Sequence, residues 1–262
     1  MNITLTTRQK NNPWLIVRKP RPGAAVRLFC FPFAGGGASI FREWPEKLPG
    51  EIEVCAVQYP GRENRISEPP IDNLHVIVTT LFNLLLPRMD IPYVFFGHSL
   101  GAKIAFETAK KLSKERGYHP ACLFVSGSRA PHITAKLQLH QLGETEFIDS
   151  LRRYAGTPEA VLQDRELMNV FIPMLRADFI LDEKFDSDPG EKVKFPIYAF
   201  GGDNDEIAPL DEVEEWGRFT NGRFEMKVFK GDHFFFRNVQ SLLFECMIKA
   251  LNVTGERRQS FI

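Results

Sequence analysis

"FFGHSLGAKIAFE", residues 95–107, brings an apolar run to a halt at Gly97-His98-Ser99-Leu100-Gly101 and continues with helical spacing. Ala102, Ile104, Ala105, Phe106 and Ala109 give the second half an apolar face. A strand that ends where a helix starts, around a single hydroxyl, is the pattern of a nucleophile turn. The serine takes a strained backbone conformation, and small residues two places to either side let the chain pass close by. A structural turn without chemistry is the alternative, and the rest of the chain decides between them.

Working outward, short apolar runs recur at Val26–Phe31, Ile52–Val57, 93–96, 123–125, 197–200 and Phe224–Phe229, with helix-like segments between several of them. This alternation predicts an α/β fold with a mainly parallel central sheet flanked by helices on both faces. It lapses between residues 131 and 193, where amphipathic pieces such as Glu144–Tyr154 and 166–180 follow one another with no strand. Inserted helices are expected there, covering the carboxyl ends of the strands, where such sheets bind ligands. Their apolar residues, Phe147, Leu151, Val161, Leu162, Met168, Phe171, Met174 and Leu175, are read first as packing and second as acyl contacts. The chain thus divides into a core in two parts (26–130 and 194–254), a helical lid insertion (131–193), and two ends expected to be poorly ordered. Those ends are an N-terminal extension (1–25) and a C-terminal tail (255–262), both without periodicity.

A length of 262 residues suits one α/β core with an insertion. The 33 lysines and arginines balance 33 aspartates and glutamates, which removes the electrostatic footprint of a non-specific nucleic-acid or anionic-membrane binder. The only apolar run near the N-terminus is Trp14-Leu15-Ile16-Val17, much shorter than a signal-peptide core, and no stretch reaches the ~18 apolar residues of a membrane span. A cytoplasmic protein is the expectation. Cys30, Cys55, Cys122 and Cys246 are too scattered for a Cys-x-x-Cys zinc site and read as buried reduced thiols, with neither metal nor organic cofactor implied.

A serine hydroxyl is a poor nucleophile at neutral pH and needs a base oriented by a carboxylate. Nucleophile, acid, histidine is the chain order of the fold that uses this turn. After the run ending at Phe200 comes the polar loop "GGDNDEIAP" (201–209), in which Asp205 is the chosen acid and Asp203 its competitor. His233, in "KGDHFFF", is the one histidine of six that follows this loop; His98 is read as a support for the turn. Two backbone N–H groups must also face the developing oxyanion. Leu100, at the start of the new helix, supplies one. The other is assigned to Ala34, with Phe33 as the alternative, in "FCFPFAGGGAS" (29–39), whose three glycines allow close backbone approach.

Together these segments resemble the type II thioesterases, stand-alone α/β-hydrolases that work beside non-ribosomal peptide, polyketide and fatty-acid synthases. The resemblance is carried by "FCFPFAGGGAS", "YPGRE" (59–63), "FFGHSLGAKIAFE", "GTPEAVL" (156–162), "PMLRADF" (173–179), "GGDNDEIAP" and "GDHFFF", in the family's order over residues 27–240. It implies a thioester hydrolase that clears acyl groups from the phosphopantetheine arm of a carrier protein. Ser99 matches the nucleophile, Asp205 the acid, His233 the base, and Ala34 with Leu100 the oxyanion amides. The insertion matches the family's mobile helical lid. Arg62 and Asp178 fall in family motifs and are read as a structural ion pair or cap. No carrier-domain Asp-Ser-Leu motif precedes the turn and the chain starts at Met1, so the carrier is expected to be a separate protein met by a monomer. The same triad would serve an oxygen-ester hydrolase, a lipase or an acyltransferase. A non-catalytic binding protein on the same scaffold is the reading of another class, against which the intact Ser99, Asp205 and His233 stand.

Overall fold

The computed structural model describes residues 12–154 and 156–259, with side chains as far as Asn252. Seven strands, β1 (Leu15–Ile16), β2 (Val26–Phe31), β3 (Ile52–Val57), β4 (Tyr93–His98), β5 (Leu123–Ser126), β6 (Ile197–Gly202) and β7 (Phe224–Phe229), form one sheet. Their order is β1-β3-β2-β4-β5-β6-β7; β1 runs antiparallel and every other pairing is parallel. Strands covered on both faces have no solvent side to alternate with, which is why β4, buried at all six positions, reads as an unbroken apolar run from Tyr93 to Phe96.

The helices are α1 (Trp44–Lys47), α2 (Leu74–Leu85), α3 (Leu100–Arg116), α4 (Glu144–Tyr154), α5 (Glu159–Leu162), α6 (Arg165–Glu183), α7 (Leu210–Glu214) and α8 (Gln240–Gln259). Ile77, Leu81 and Leu85 of α2 and Ile104, Ala105 and Phe106 of α3 pack on one face of the sheet around Phe29, Phe31 and Phe95. Trp44 of α1 with Leu243, Phe244 and Met247 of α8 covers the other, around Cys30, Phe96 and Phe124. Helix ends are set locally. The Asn73 side chain accepts the Val76 N–H ahead of α2, and Gly117, at φ 69°, closes α3 in the left-handed region.

Between β5 and β6 stand α4, α5 and α6, with a core of their own that includes Phe147, Leu151, Leu162, Met168, Met174 and Leu175. Here α6 extends beyond the amphipathic stretch 166–180, mostly at its C-terminal end, and Asp164 caps its start by accepting the Glu166 and Leu167 N–H groups at 3.0 Å each. Cys30, Cys55 and Cys122 are buried and, like half-buried Cys246, carry free thiols.

The ends differ from expectation. Leu15 and Ile16 pair with Val57 and Ala56 as an edge strand, Leu15 is buried, and the Trp14 ring lies edge-on to Tyr59 at 6.3 Å beneath the Arg65 guanidinium. Two paired residues are too few to leave a periodic signature. Residues 1–11 lie outside the described residues. At the other end α8 runs through 255–259, so the tail expected to lack order is helical there, and 260–262 lie outside the described residues. No helix of the described residues is long and apolar enough to cross a membrane.

At the strand-to-helix turn two glycines lie directly against backbone. A Cβ on Gly101 would stand 2.2 Å from the Phe31 carbonyl oxygen, and one on Gly97 would stand 2.3 Å from the Gly101 carbonyl oxygen. Both obstacles are backbone and cannot move aside. Gly101→Ala is therefore expected to destabilise the chain by about 3 kcal/mol or more, the upper range for overpacking, as read by urea denaturation.

Candidate active site

Ser99 sits between β4 and α3 with φ 53° and ψ −123°, a conformation that L-residues rarely adopt. Two contacts hold it there: its N–H donates to the Ser126 carbonyl at 2.8 Å, and its own carbonyl accepts the Ala102 N–H at 3.0 Å. Although Ser99 occupies the N-cap position, its hydroxyl makes no capping hydrogen bond. It is half-buried and lines a cavity shared with Ala34, Leu175, Asp182, His233 and Phe234.

His233 reaches that cavity from the loop after β7. Gly231 turns the chain at φ 134°, and Asp232 accepts the Phe234 N–H at 2.8 Å. The Nδ1 of His233 lies 2.9 Å from Asp205 Oδ2, with both side chains buried. The other Asp205 oxygen accepts the Ile207 and Ala208 N–H groups at 2.9 and 3.0 Å, so the carboxylate is locked in place. Asp203 is exposed and faces elsewhere. Its Oδ1 accepts the Gly231 N–H at 2.9 Å, tying the loop of Asp205 to that of His233, while Asn204 N–H donates to the Gly231 carbonyl at 3.0 Å.

His98 lies under this pair, its ring 5.0 Å from that of His233, with Nδ1 3.0 Å from Ser126 Oγ. Burial, followed by the nearness of His233 and Arg237, drives its pKa well below the ordinary imidazole value, so it stays neutral. Gly127 makes room for it, since a Cβ there would stand 2.6 Å from His98 Cε1.

Residues 33–37 form the loop after β2. Gly36 N–H donates to the Phe33 carbonyl at 2.8 Å, Gly35 takes φ 80°, and among the described residues no acceptor takes the N–H of Ala34 or of Leu100. This loop is gripped by "YPGRE" and the residue before it, a function that sequence reading missed. Gln58 Oε1 accepts the Ala38 N–H at 2.7 Å, Glu63 accepts from Ser39, and Arg62 Nη1 donates to the Gly36 carbonyl at 3.0 Å. Arg62 and Asp178 do form an ion pair, buried and bidentate, at 2.7 and 2.8 Å.

One turn along α6 from Asp178, Asp182 accepts Lys103 Nζ of α3 at 2.7 Å and pairs with Arg129 from the loop after β5. Burial pushes the Asp182 carboxyl up, but Lys103 and Arg129 outweigh it and hold the group far below the usual range. Burial lowers Lys103 to about 8 in spite of Asp182. Tyr154, on the wall of the same cavity, is pushed up to about 12 by burial and by Asp182. The sequence signal for this cluster was a lysine between Ala102 and Ile104 on an otherwise apolar helix face.

The family profile described as thioesterase domain matches residues 26–249. The chain belongs to the thioesterase family. This thioesterase is 43% identical over 243 residues to the gramicidin S biosynthesis protein GrsT of Aneurinibacillus migulanus, covering 92% of this chain and 95% of the relative. It is 41% identical to the thioesterase PikA5 of Streptomyces venezuelae, covering 85% and 79%. Among solved structures, the type II thioesterase BorB from the borrelidin biosynthetic cluster superposes with a TM-score of 0.83 at 33% identity, over 92% of this chain and 98% of that one. The α/β-hydrolase fold of the thioesterase is thus shown by sequence and by shape, and it is a serine-type thioester hydrolase of type II. Among its described residues no cluster of histidine, cysteine, aspartate and glutamate could hold a metal ion.

Lys103 makes the stability of the thioesterase depend on pH. Below pH 8 the lysine is charged in both folded and unfolded chains, and its burial costs stability. Between about 8 and its ordinary 10.5 only the unfolded chain keeps the proton, so stability rises with pH. Relative to Lys103→Met, the wild type is expected to gain about 3 kcal/mol between pH 7 and pH 11, read by parallel urea denaturation series.

Proposed function

We propose that this thioesterase hydrolyses acyl thioesters borne on the phosphopantetheine arm of a separate carrier protein, with Ser99 as nucleophile, His233 as base and Asp205 as the orienting acid. The single observation that carries the reading is the convergence on one cavity of Ser99, in its strained turn, and His233, already held by the locked Asp205. Relatives named for gramicidin S biosynthesis and for a borrelidin cluster support a role beside a peptide or polyketide synthase, in editing or release of chains.

His233 Nε2 takes the Ser99 proton as Oγ attacks the thioester carbonyl, while the N–H donated from Nδ1 to Asp205 fixes the tautomer. The negative charge that forms on the carbonyl oxygen is met by the Ala34 and Leu100 N–H groups, which are free of other described acceptors. Collapse expels the pantetheine sulfur, which leaves with the proton from His233. Water, deprotonated by the same ring, then releases the carboxylic acid and restores Ser99. His98 is no second base, since it is held neutral against Ser126 and Phe236. No cofactor enters these steps.

All five residues come from one chain, so a monomer suffices. Four free cysteines support a cytoplasmic location. The adjoining cavity shares Gly156, Thr157 and Leu175 with the first, and Val161, Phe171 and Met174 line it. We assign these lid residues to contact with the substrate as well as to packing.

Ser99→Ala is expected to lower kcat/KM on an acyl-pantetheinyl carrier by about 10⁴–10⁶-fold with folding intact. Undiminished turnover would refute the nucleophile. Equal or faster turnover of a matched oxygen ester by the wild type would point instead to an esterase. Asp205→Asn is expected to cost about 10³–10⁴-fold in kcat, and Asp203→Asn less than tenfold; the reverse ranking would exchange their roles.

A further inference from the structure

The Arg62–Asp178 pair grips the backbone of the loop that carries Ala34. Asp178 Oδ2 accepts the Gly35 N–H at 2.7 Å as well as Arg62 Nη1 at 2.7 Å, while its Oδ1 accepts Arg62 Nη2 at 2.8 Å. The same Nη1 donates to the Gly36 carbonyl at 3.0 Å. Gly35 is thereby held by its donor and Gly36 by its acceptor.

The hold passes to Ala34 through peptide planarity. Gly36 N–H donates to the Phe33 carbonyl, and that carbonyl shares one rigid plane with the Ala34 N–H, which points the opposite way. Fixing Gly35 and Gly36 therefore fixes the direction of the Ala34 donor. The φ of 80° at Gly35 lets the loop turn this tightly, and Leu175 of α6 closes over it, 2.7 Å from where a Cβ would lie.

We propose that Arg62 and Asp178 are positioning residues that aim the Ala34 N–H at the developing oxyanion, and that α6, by carrying Asp178, must be seated on the core for that donor to be in place. This rests on the assignment of Ala34 and Ser99 made above. Asp182, one turn further along the same helix, holds α6 to α3 and to the loop after β5 through Lys103 and Arg129. The seat of α6 is thus built from the buried Asp178 and half-buried Asp182 carboxylates facing three cations.

Removing one partner would strand a buried charge and confuse stability with catalysis, whereas replacing both by apolar residues is often neutral for folding. The test is therefore the double variant Arg62→Met/Asp178→Leu, with Arg62→Lys as a milder companion that keeps the charge and loses the fork. Four quantities are read on each variant. They are the melting temperature, kcat and KM on an acyl-pantetheinyl carrier, and the inhibition constant of a trifluoromethyl ketone analogue, which forms a tetrahedral adduct on the serine.

The folded double variant is expected to lose about 10²–10³-fold in kcat with KM within threefold, and to lose analogue affinity by a similar factor. Arg62→Lys is expected to lose about five- to thirtyfold in both. Either folded variant turning over within threefold of wild type, or losing kcat without losing analogue affinity, would overturn the proposal. Ser99→Ala, run alongside, separates the two readings. An inert Ser99→Ala with a fully active double variant rejects only the positioning role, whereas an active Ser99→Ala rejects the function it depends on.

Discussion

The contact between α3 and the end of β2 is the constraint on which the site depends. With no side chain at residue 101, the first turn of α3 lies against the Phe31 and Pro32 carbonyl oxygens, closer than any Cβ would permit. That approach brings the start of α3, and with it the Leu100 N–H, beside the loop that bears Ala34. It also bends the chain so sharply that Ser99 has to take a positive φ. The strain at Ser99 is sustained because β4 is paired on both sides and buried throughout, so the turn cannot relax without breaking the sheet.

Around this turn the parts arrive from separate elements at the carboxyl ends of neighbouring strands. β6 ends in the loop of Asp205 and β7 in that of His233, and Asp203 ties the two loops together. This is the edge where open α/β sheets place ligands, because their loops diverge there. The insertion closes the edge from above. Its helix α6 is docked on the core through Asp178 and Asp182, so a lid motion confined to α4 and α5 would leave those ion pairs intact. Buried ion pairs repay their desolvation poorly as sources of stability, whereas they penalise every misplaced arrangement that would leave a charge alone. Here that selectivity fixes where one helix sits relative to the loop that bears Ala34.

Much of this was legible in the sequence, because burial on both faces and chain order leave strong marks. Six strands, the inserted helices and the meeting of His233 with Asp205 were readable from apolar runs, from the lapse in alternation and from the order serine, aspartate, histidine. Chain spacing could not tell which of Asp203 and Asp205 meets His233; the coordinates bring Asp205 to its ring, the carboxylate held by the Ile207 and Ala208 N–H groups. Leu15–Ile16 was missed because two residues carry no period, and the helical course through 255–259 because charge hid it. The grip of Gln58, Arg62 and Glu63 on the glycine-rich loop was illegible for another reason. Its partners are backbone groups, and backbone has no sequence identity to read.

With Ser99 as the proposed nucleophile, the acyl group passes through the hydroxyl held in that strained turn. The most direct measurement mixes the enzyme with an acyl-pantetheinyl carrier, quenches in acid within one turnover and maps the digested peptides by mass spectrometry. The expected result is the mass of the acyl group on the peptide containing Ser99, appearing before free acid and decaying as free acid forms. Turnover with that peptide unmodified at every time point, or with the acyl group on another residue, would contradict it.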